Sequence, residues 1–219
     1  MQTCLITGAT SGLGRATALE LGRLGWSLWL VGRNPRRGEA VADRINRSGT
    51  GAQAQFIRAD VSSLAAMRSL AAQVERQAPR LDVLINNAGA RHMDAAESAD
   101  GVERTFATNH LGHFVLTLSL LGALGRSEDG RIINVASSAH RGGRGEFEEV
   151  LKASPYDGRR AYAESKLANV LFTLELARRL AGTRIKVNAV DPGGVATRFA
   201  RNNGLVAWVR HCAFRSEER

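Results

Sequence analysis

The sequence predicts an α/β fold, a doubly wound parallel sheet in a single domain. Three observations carry this. Short apolar runs alternate with longer helical stretches along the chain. Six of the runs are dense in Val, Ile and Leu, which suits strands buried on both faces. A glycine-rich turn joins the first run directly to the first helical stretch.

Taken in order, strands are expected at 3–7, 27–31, 54–58, 83–86, 131–136 and 186–190. Helices are expected near 12–24, 35–48, 63–78, 97–124 and 160–181. The first helix ends in Leu24-Gly25 and the last in Leu180-Ala181-Gly182, where glycine accepts the left-handed conformation of a helix C-terminus. Leu167, Leu171 and Leu174 place an apolar stripe along the last helix. There are no repeats, low-complexity tracts or linkers, so residues 1–197 read as one domain, with 198–219 as a partial lid or tail of it.

The 219 residues are 44% hydrophobic, enough for a buried core, but only 5% aromatic, so that core rests on Ala, Val, Leu and Ile. Cys4 falls in the first strand and Cys212 near the end; with no disulfide framework, a reducing cytoplasm is the expected location. No signal peptide and no long apolar stretch is visible, so no membrane span is expected. The net charge of +9 comes from arginine, Lys152, Lys166 and Lys186 being the only lysines. The arginines are scattered without a basic run or interleaved aromatics, so no nucleic-acid partner is expected.

The turn Thr7-Gly8-Ala9-Thr10-Ser11-Gly12-Leu13-Gly14 has the chemistry of a phosphate cradle. Gly8 and Gly12 permit a tight turn and close approach of a pyrophosphate, and Gly14 lets helix and strand pack tightly. Free N–H groups and the helix dipole then face the phosphates. A dinucleotide site of the NAD type usually puts an acid about 20 residues beyond the loop. Here the second strand runs into Gly32-Arg33-Asn34 with no carboxylate. Arg33 suits a 2′-phosphate, so NADP(H) is expected as the preferred cofactor, with NAD(H) possible. Arg15 is either a second contact to that phosphate or an ordinary surface arginine.

Tyr162 and Lys166 lie four apart on an expected helix and share a face. A phenol titrates near pH 10, and an adjacent ammonium favours its phenolate, so the pair has the makings of an acid/base. Ser137 follows the fifth strand at the carboxyl edge of the sheet, placed to hold a carbonyl oxygen, with Ser138 as its competitor. Asp60-Val61 follows the third strand, either capping an adenine or starting the next helix. His110 and His113 give only two metal-type ligands and no third, so they are read as structural and no metal is expected.

Together, Gly8–Gly14, Asn86-Asn87-Ala88-Gly89, Asn109, Ser137 and Tyr162-x-x-x-Lys166 resemble the ordered motifs of the short-chain dehydrogenase/reductase family. The segments 161–172 and 108–114 are particularly similar to retinol-dehydrogenase-like members. The resemblance implies a Rossmann fold and an oxidoreductase that interconverts an apolar alcohol with an aldehyde or ketone. It implies Asn109, Ser137, Tyr162 and Lys166 as the catalytic set. Asn109 would kink its helix and anchor a water leading from Lys166, and the family pattern N-x-x-S, read on Asn134, selects Ser137 over Ser138. Around the cofactor it implies Gly8, Ser11, Gly12, Leu13, Gly14, Arg15, Arg33, Asp60, Val61, Asn87, Ala88, Gly89, Tyr162 and Lys166, then Pro192, Gly193, Val195 and Thr197 after the last strand. Relatives continue into a further helix and a seventh strand, which 198–219 do not resemble. An exposed sixth strand is therefore expected, the homo-oligomeric state is left open, and a catalytically weak dinucleotide-binding module is the alternative reading.

Overall fold

The computed structural model describes residues 1–78, 80–151 and 156–193. All six expected strands form: β1 (Thr3–Thr7), β2 (Ser27–Gly32), β3 (Gln53–Arg58), β4 (Val83–Asn86), β5 (Gly130–Val135) and β6 (Ile185–Val190). Every neighbouring pair is parallel, in the order β3-β2-β1-β4-β5-β6. The chain winds outward from β1 to β3, then returns to β4 and winds outward the other way. That reversal opens a crevice beyond the carboxyl ends of β1 and β4, where sheets of this class receive ligands.

Side chains alternate cleanly across the inner strands. Cys4, Ile6, Leu28, Leu30, Val83 and Ile85 pack on Ala18 of α1 (Gly12–Arg23) and on Val41, Ala42 and Ile45 of α2 (Pro35–Asn46). Leu5, Trp29, Val31, Leu84 and Ile132 face the other way, onto Met67, Leu70 and Val74 of α3 (Leu64–Gln77) and the helices that follow it. The outer strands differ from expectation: β3 is exposed at Gln53, Gln55 and Arg58, and β6 at Lys186, Asn188, Ala189 and Val190.

Gly25 and Gly182 adopt φ of +81° and +82°, ending α1 and the last helix as the sequence suggests. The expected helix at 97–124 is broken. Residues 97–103 form a turn closed by an antiparallel bridge between Glu97 and Glu103, with Gly101 at φ +71°. The buried Glu103 carboxylate then accepts from the Thr105 and Phe106 amides to start α4 (Arg104–Phe106). A wide π-turn over Ala107–Leu111 leads into α5 (Gly112–Ser119), and α6 (Leu121–Gly125) follows.

Helices α7 (Phe147–Leu151) and α8 (Gly158–Arg179) complete the described chain. The leucine stripe of α8 faces outward, Leu171 being 46% and Leu174 63% exposed. The helix instead buries small and polar residues, among them Ala161, Glu164, Ser165, Lys166 and Asn169, because that face closes over the crevice. Among the described residues no helix is long and apolar enough to cross a membrane.

Candidate active site

The crevice is a cavity of about 820 Å³ at the switch point. Its floor is the turn after β1. Gly8 and Gly12 take φ of +69° and +53°, which side chains rarely adopt. A Cβ on Gly14 would meet Asn87 Nδ2 and lie 2.6 Å from the Gly8 carbonyl, so only glycine lets α1 close on the strand. Asn34, Ser63 and Asp157 cap α2, α3 and α8 through their side chains, whereas Ser11 makes no such bond at α1. The N-terminal amides of α1 therefore face the cavity without a capping side chain, as an anion site requires.

At one end lie Gly32, Arg33, Asn34 and Arg37, two guanidinium groups where a carboxylate would otherwise select a free ribose. Arg37 escaped the sequence reading; Asn34-Pro35, a helix-start signal, marks where the first turn of α2 brings it round. Arg15 is exposed on α1 and outside the cavity lining. Asp60 and Val61 line the cavity, but Ser63 is the cap of α3, and one Asp60 oxygen is held by the Ser62 amide and hydroxyl at 3.0 and 2.9 Å.

Thr7 ties this floor to the next loop. Its hydroxyl accepts from the Asn87 and Ala88 amides, both at 2.9 Å, and the Asn87 side chain donates back to the Thr7 carbonyl at 2.7 Å. His113 Nδ1 lies 3.1 Å from the Asn109 carbonyl, which only accepts, so Nδ1 carries the proton. Nε2 then accepts from the Thr7 hydroxyl at 2.9 Å. Burial holds His113 at a pKa of about 3, consistent with a neutral ring.

Asn109 is fully buried inside the π-turn and does not line the cavity. Its side chain clasps the Ala90 backbone, accepting from N–H at 2.8 Å and donating to C=O at 2.9 Å, and donates to Ser165 at 2.9 Å. Its carbonyl accepts from Asn169 and His113 at 2.9 and 3.1 Å, so both lone pairs are engaged from within the protein. A π-turn stands where the kink was expected, and the Asn109 carbonyl braces α8 and, through His113, the Thr7 loop. His110 pairs with Asn169 at 3.0 Å among Phe106, Phe114 and Phe172.

Ser137, Tyr162 and Lys166 meet at the other end of the cavity. Tyr162 and Ser137 line the same wall, while Ser138 is exposed in the 3₁₀ turn that follows. Lys166 is 3% exposed; its Nζ donates to the Val135 carbonyl at 2.7 Å and sits 5.8 Å from the centre of the Tyr162 ring. Burial lowers Lys166 to a pKa of about 8, against a pull upward from Asp191. Burial also raises Tyr162 above its ordinary value, opposed by the Ser137 hydrogen bond and by the charge of Arg91. Arg91, which the sequence reading missed, is thus a cation that favours the phenolate, and its Cζ lies 6.0 Å from the ring centre.

Ala88, Gly89 and Asn87 form the wall between the two ends, and Pro192 and Gly193 close it after β6. Val195, Thr197, Cys212 and the whole of 198–219 lie outside the described residues.

A family model described as short chain dehydrogenase matches residues 2–205. Retinol dehydrogenase 14 of Mus musculus is 43% identical over 211 residues, covering 92% of this chain and 63% of its own length. Human retinol dehydrogenase 13 is 40% identical over 205 residues, covering 93% and 62%. The chain therefore spans a little under two thirds of these curated relatives. A short-chain dehydrogenase from Sphingobium yanoikuyae, solved in complex with NADPH, superposes with a TM-score of 0.78 at 27% identity, over 94% of this chain and 76% of that one.

Proposed function

The chain belongs to the short chain dehydrogenase family, and from that premise we propose that it is an NADP(H)-dependent oxidoreductase interconverting an alcohol with an aldehyde or ketone. The observation that carries the reading is that Ser137, Tyr162 and Lys166 line one end of a glycine-floored cavity, with Lys166 Nζ 5.8 Å from the centre of the Tyr162 ring. Ser11, Gly12, Leu13 and Gly14 suit a pyrophosphate, and Asn87, Ala88, Gly89, Asp60 and Val61 suit the adenosine half. Arg33 and Arg37 support a 2′-phosphate and so the preference for NADP(H). Pro192, Gly193, Val195 and Thr197 remain assigned to the nicotinamide end. A bound nicotinamide dinucleotide supplies or accepts the hydride.

Ser137 holds the substrate oxygen by a hydrogen bond, and Tyr162 exchanges a proton with it. Burial keeps Tyr162 protonated at neutral pH, so it stands ready as an acid, the role required when a carbonyl is reduced. Lys166, fixed by the Val135 carbonyl, places a second positive charge below the ring. Asn109 acts through the Ala90 backbone and Ser165, setting the spacing of the wall and α8.

Titration with NADPH and NADH by cofactor fluorescence, followed by turnover of an aldehyde and ketone panel, tests this. Binding of NADPH is expected to be tighter by about tenfold or more, the effect of one charge-assisted pair. Tyr162→Phe is expected to cut kcat by about 10²–10⁴-fold. Turnover indifferent to that substitution removes Tyr162 from the mechanism, and NADPH binding with no turnover of any substrate favours a binding module.

A further inference from the structure

Arg91 stands two residues beyond Gly89 and lines the catalytic end of the cavity. Its Cζ lies 6.0 Å from the centre of the Tyr162 ring, on a par with the 5.8 Å of Lys166 Nζ. Its Nε is buried and has no hydrogen-bond partner. Arg159, three residues before Tyr162 on α8, lines the same cavity. Among the described residues neither arginine takes part in an ion pair. The two carboxylates of the cavity lining are engaged elsewhere, Asp60 with Ser62 and Asp191 with the Gly193 amide at 3.0 Å.

The Nε is closed off from the cavity, but among the described residues the two Nη groups make no hydrogen bond or ion pair, and an unmatched guanidinium at a cavity wall costs free energy until an acceptor reaches it. An apolar substrate leaves that cost standing. A carboxylate removes it, because its two oxygens match the end of the guanidinium formed by the two Nη groups, giving two parallel charge-assisted bonds. Arg91 Cζ lies 6.0 Å from the centre of the Tyr162 ring, so the carboxylate and the reacting oxygen belong to one small molecule.

We propose that Arg91 determines specificity at this site and that the substrate is a carboxylate-bearing carbonyl compound or its alcohol, gripped end-on by Arg91 next to Tyr162. The proposal rests on the oxidoreductase reading above. It departs from the apolar substrate implied by resemblance to retinol dehydrogenases, and the departure lies in this one side chain.

Two probes of the same shape test it, 4-carboxybenzaldehyde and its methyl ester, with wild type, Arg91→Met, Arg91→Lys and Arg159→Met. A second readout is binding of benzoate to the NADPH-loaded protein. Wild type is expected to favour the acid over the ester in kcat/KM by about tenfold or more, the effect of a charge-assisted pair. In Arg91→Met the ratio is expected to fall to near one and benzoate binding to weaken by a similar factor. Arg91→Lys keeps part of the preference, since it keeps the charge but not the fork. No preference in wild type, a preference that survives Arg91→Met, or one lost only in Arg159→Met overturns the assignment. If neither aldehyde turns over while NADPH binds, the oxidoreductase reading stands or falls on the wider aldehyde and ketone panel. Arg91 is then judged on benzoate alone: binding lost in Arg91→Met upholds an anion site, and equal binding removes it.

Discussion

His113 gives the protein an acid sensitivity that can be worked out from one ring. Its pKa is about 3 in the fold against an ordinary 6.5, burial being the main cause, with Lys166 and His110 pushing the same way and the Asn109 carbonyl opposing. The unfolded chain takes up this proton near pH 6.5 while the native state refuses it down to about pH 3. The stability it contributes is therefore complete above pH 6.5 and drains away as pH falls. Each pH unit in that window is worth about 1.4 kcal/mol, so about 2 kcal/mol goes between pH 6.5 and 5. His113→Gln removes the titration but keeps a polar group near Thr7. Urea unfolding at pH 7 and pH 5 is expected to show the wild type losing about 2 kcal/mol more than the variant over that interval. Equal losses would mean that the ring is accessible to protons in the native state.

Elements show where local sequence stops being informative. Strand positions were legible because each inner strand buries both faces and so reads as a continuous apolar run. The helix expected at 97–124 was drawn too long because Leu111, Leu116, Leu120 and Leu124 continue an apolar pattern after the backbone has changed course. A signal for the true start was present in Asp100-Gly101, a turn dipeptide whose glycine sits at φ +71°. The outward leucines of α8 misled for a different reason: periodicity records which side chains are alike, and the buried face of this helix is polar because it serves the site.

Residues of the site were legible where a motif fixed their spacing, as with Tyr162 and Lys166. Arg91 reaches the cavity only through the tertiary fold, with no local pattern to mark it, and Arg37 is marked only by the Asn34-Pro35 helix start. Asn109 belongs between these cases: its presence was readable, its partners were not. Asn109→Ala leaves the Ala90 N–H and C=O unpaired beside a buried wall, an expected cost of about 2–5 kcal/mol. Urea midpoints with an unchanged slope measure it. Asn109→Asp should not rescue, since it sets an acceptor against the Ala90 carbonyl. A loss below about 1 kcal/mol in Asn109→Ala, less than one unmade buried hydrogen bond, would show that the π-turn is held by packing alone.

At the scale of the whole molecule, the charge of +9 is unevenly used. Many arginines are spent in exposed pairs one helical turn apart, such as Arg23–Glu20, Arg47–Asp43 and Arg178–Glu175, which add little stability. The cavity is different. Arg33, Arg37, Arg91, Arg159 and Lys166 line it against only Asp60 and Asp191, and among the described residues none of its four arginines is in an ion pair. A positive cleft with low-dielectric walls focuses its field and draws in polyanions. The field is long-ranged at low salt and confined to a few ångströms at high salt. NADPH carries a 2′-phosphate that NADH lacks, so its binding should weaken more steeply with salt. Between about 0.05 and 0.5 M NaCl, where screening shortens from well over 10 Å to a few, the ratio of the two dissociation constants is expected to narrow severalfold. In Arg33→Ala/Arg37→Ala the ratio is expected to be small at both salts, because the focus of the difference is gone. A ratio insensitive to both salt and that double substitution would mean that the two arginines make no contact with the 2′-phosphate, and any preference for NADP(H) would have another source.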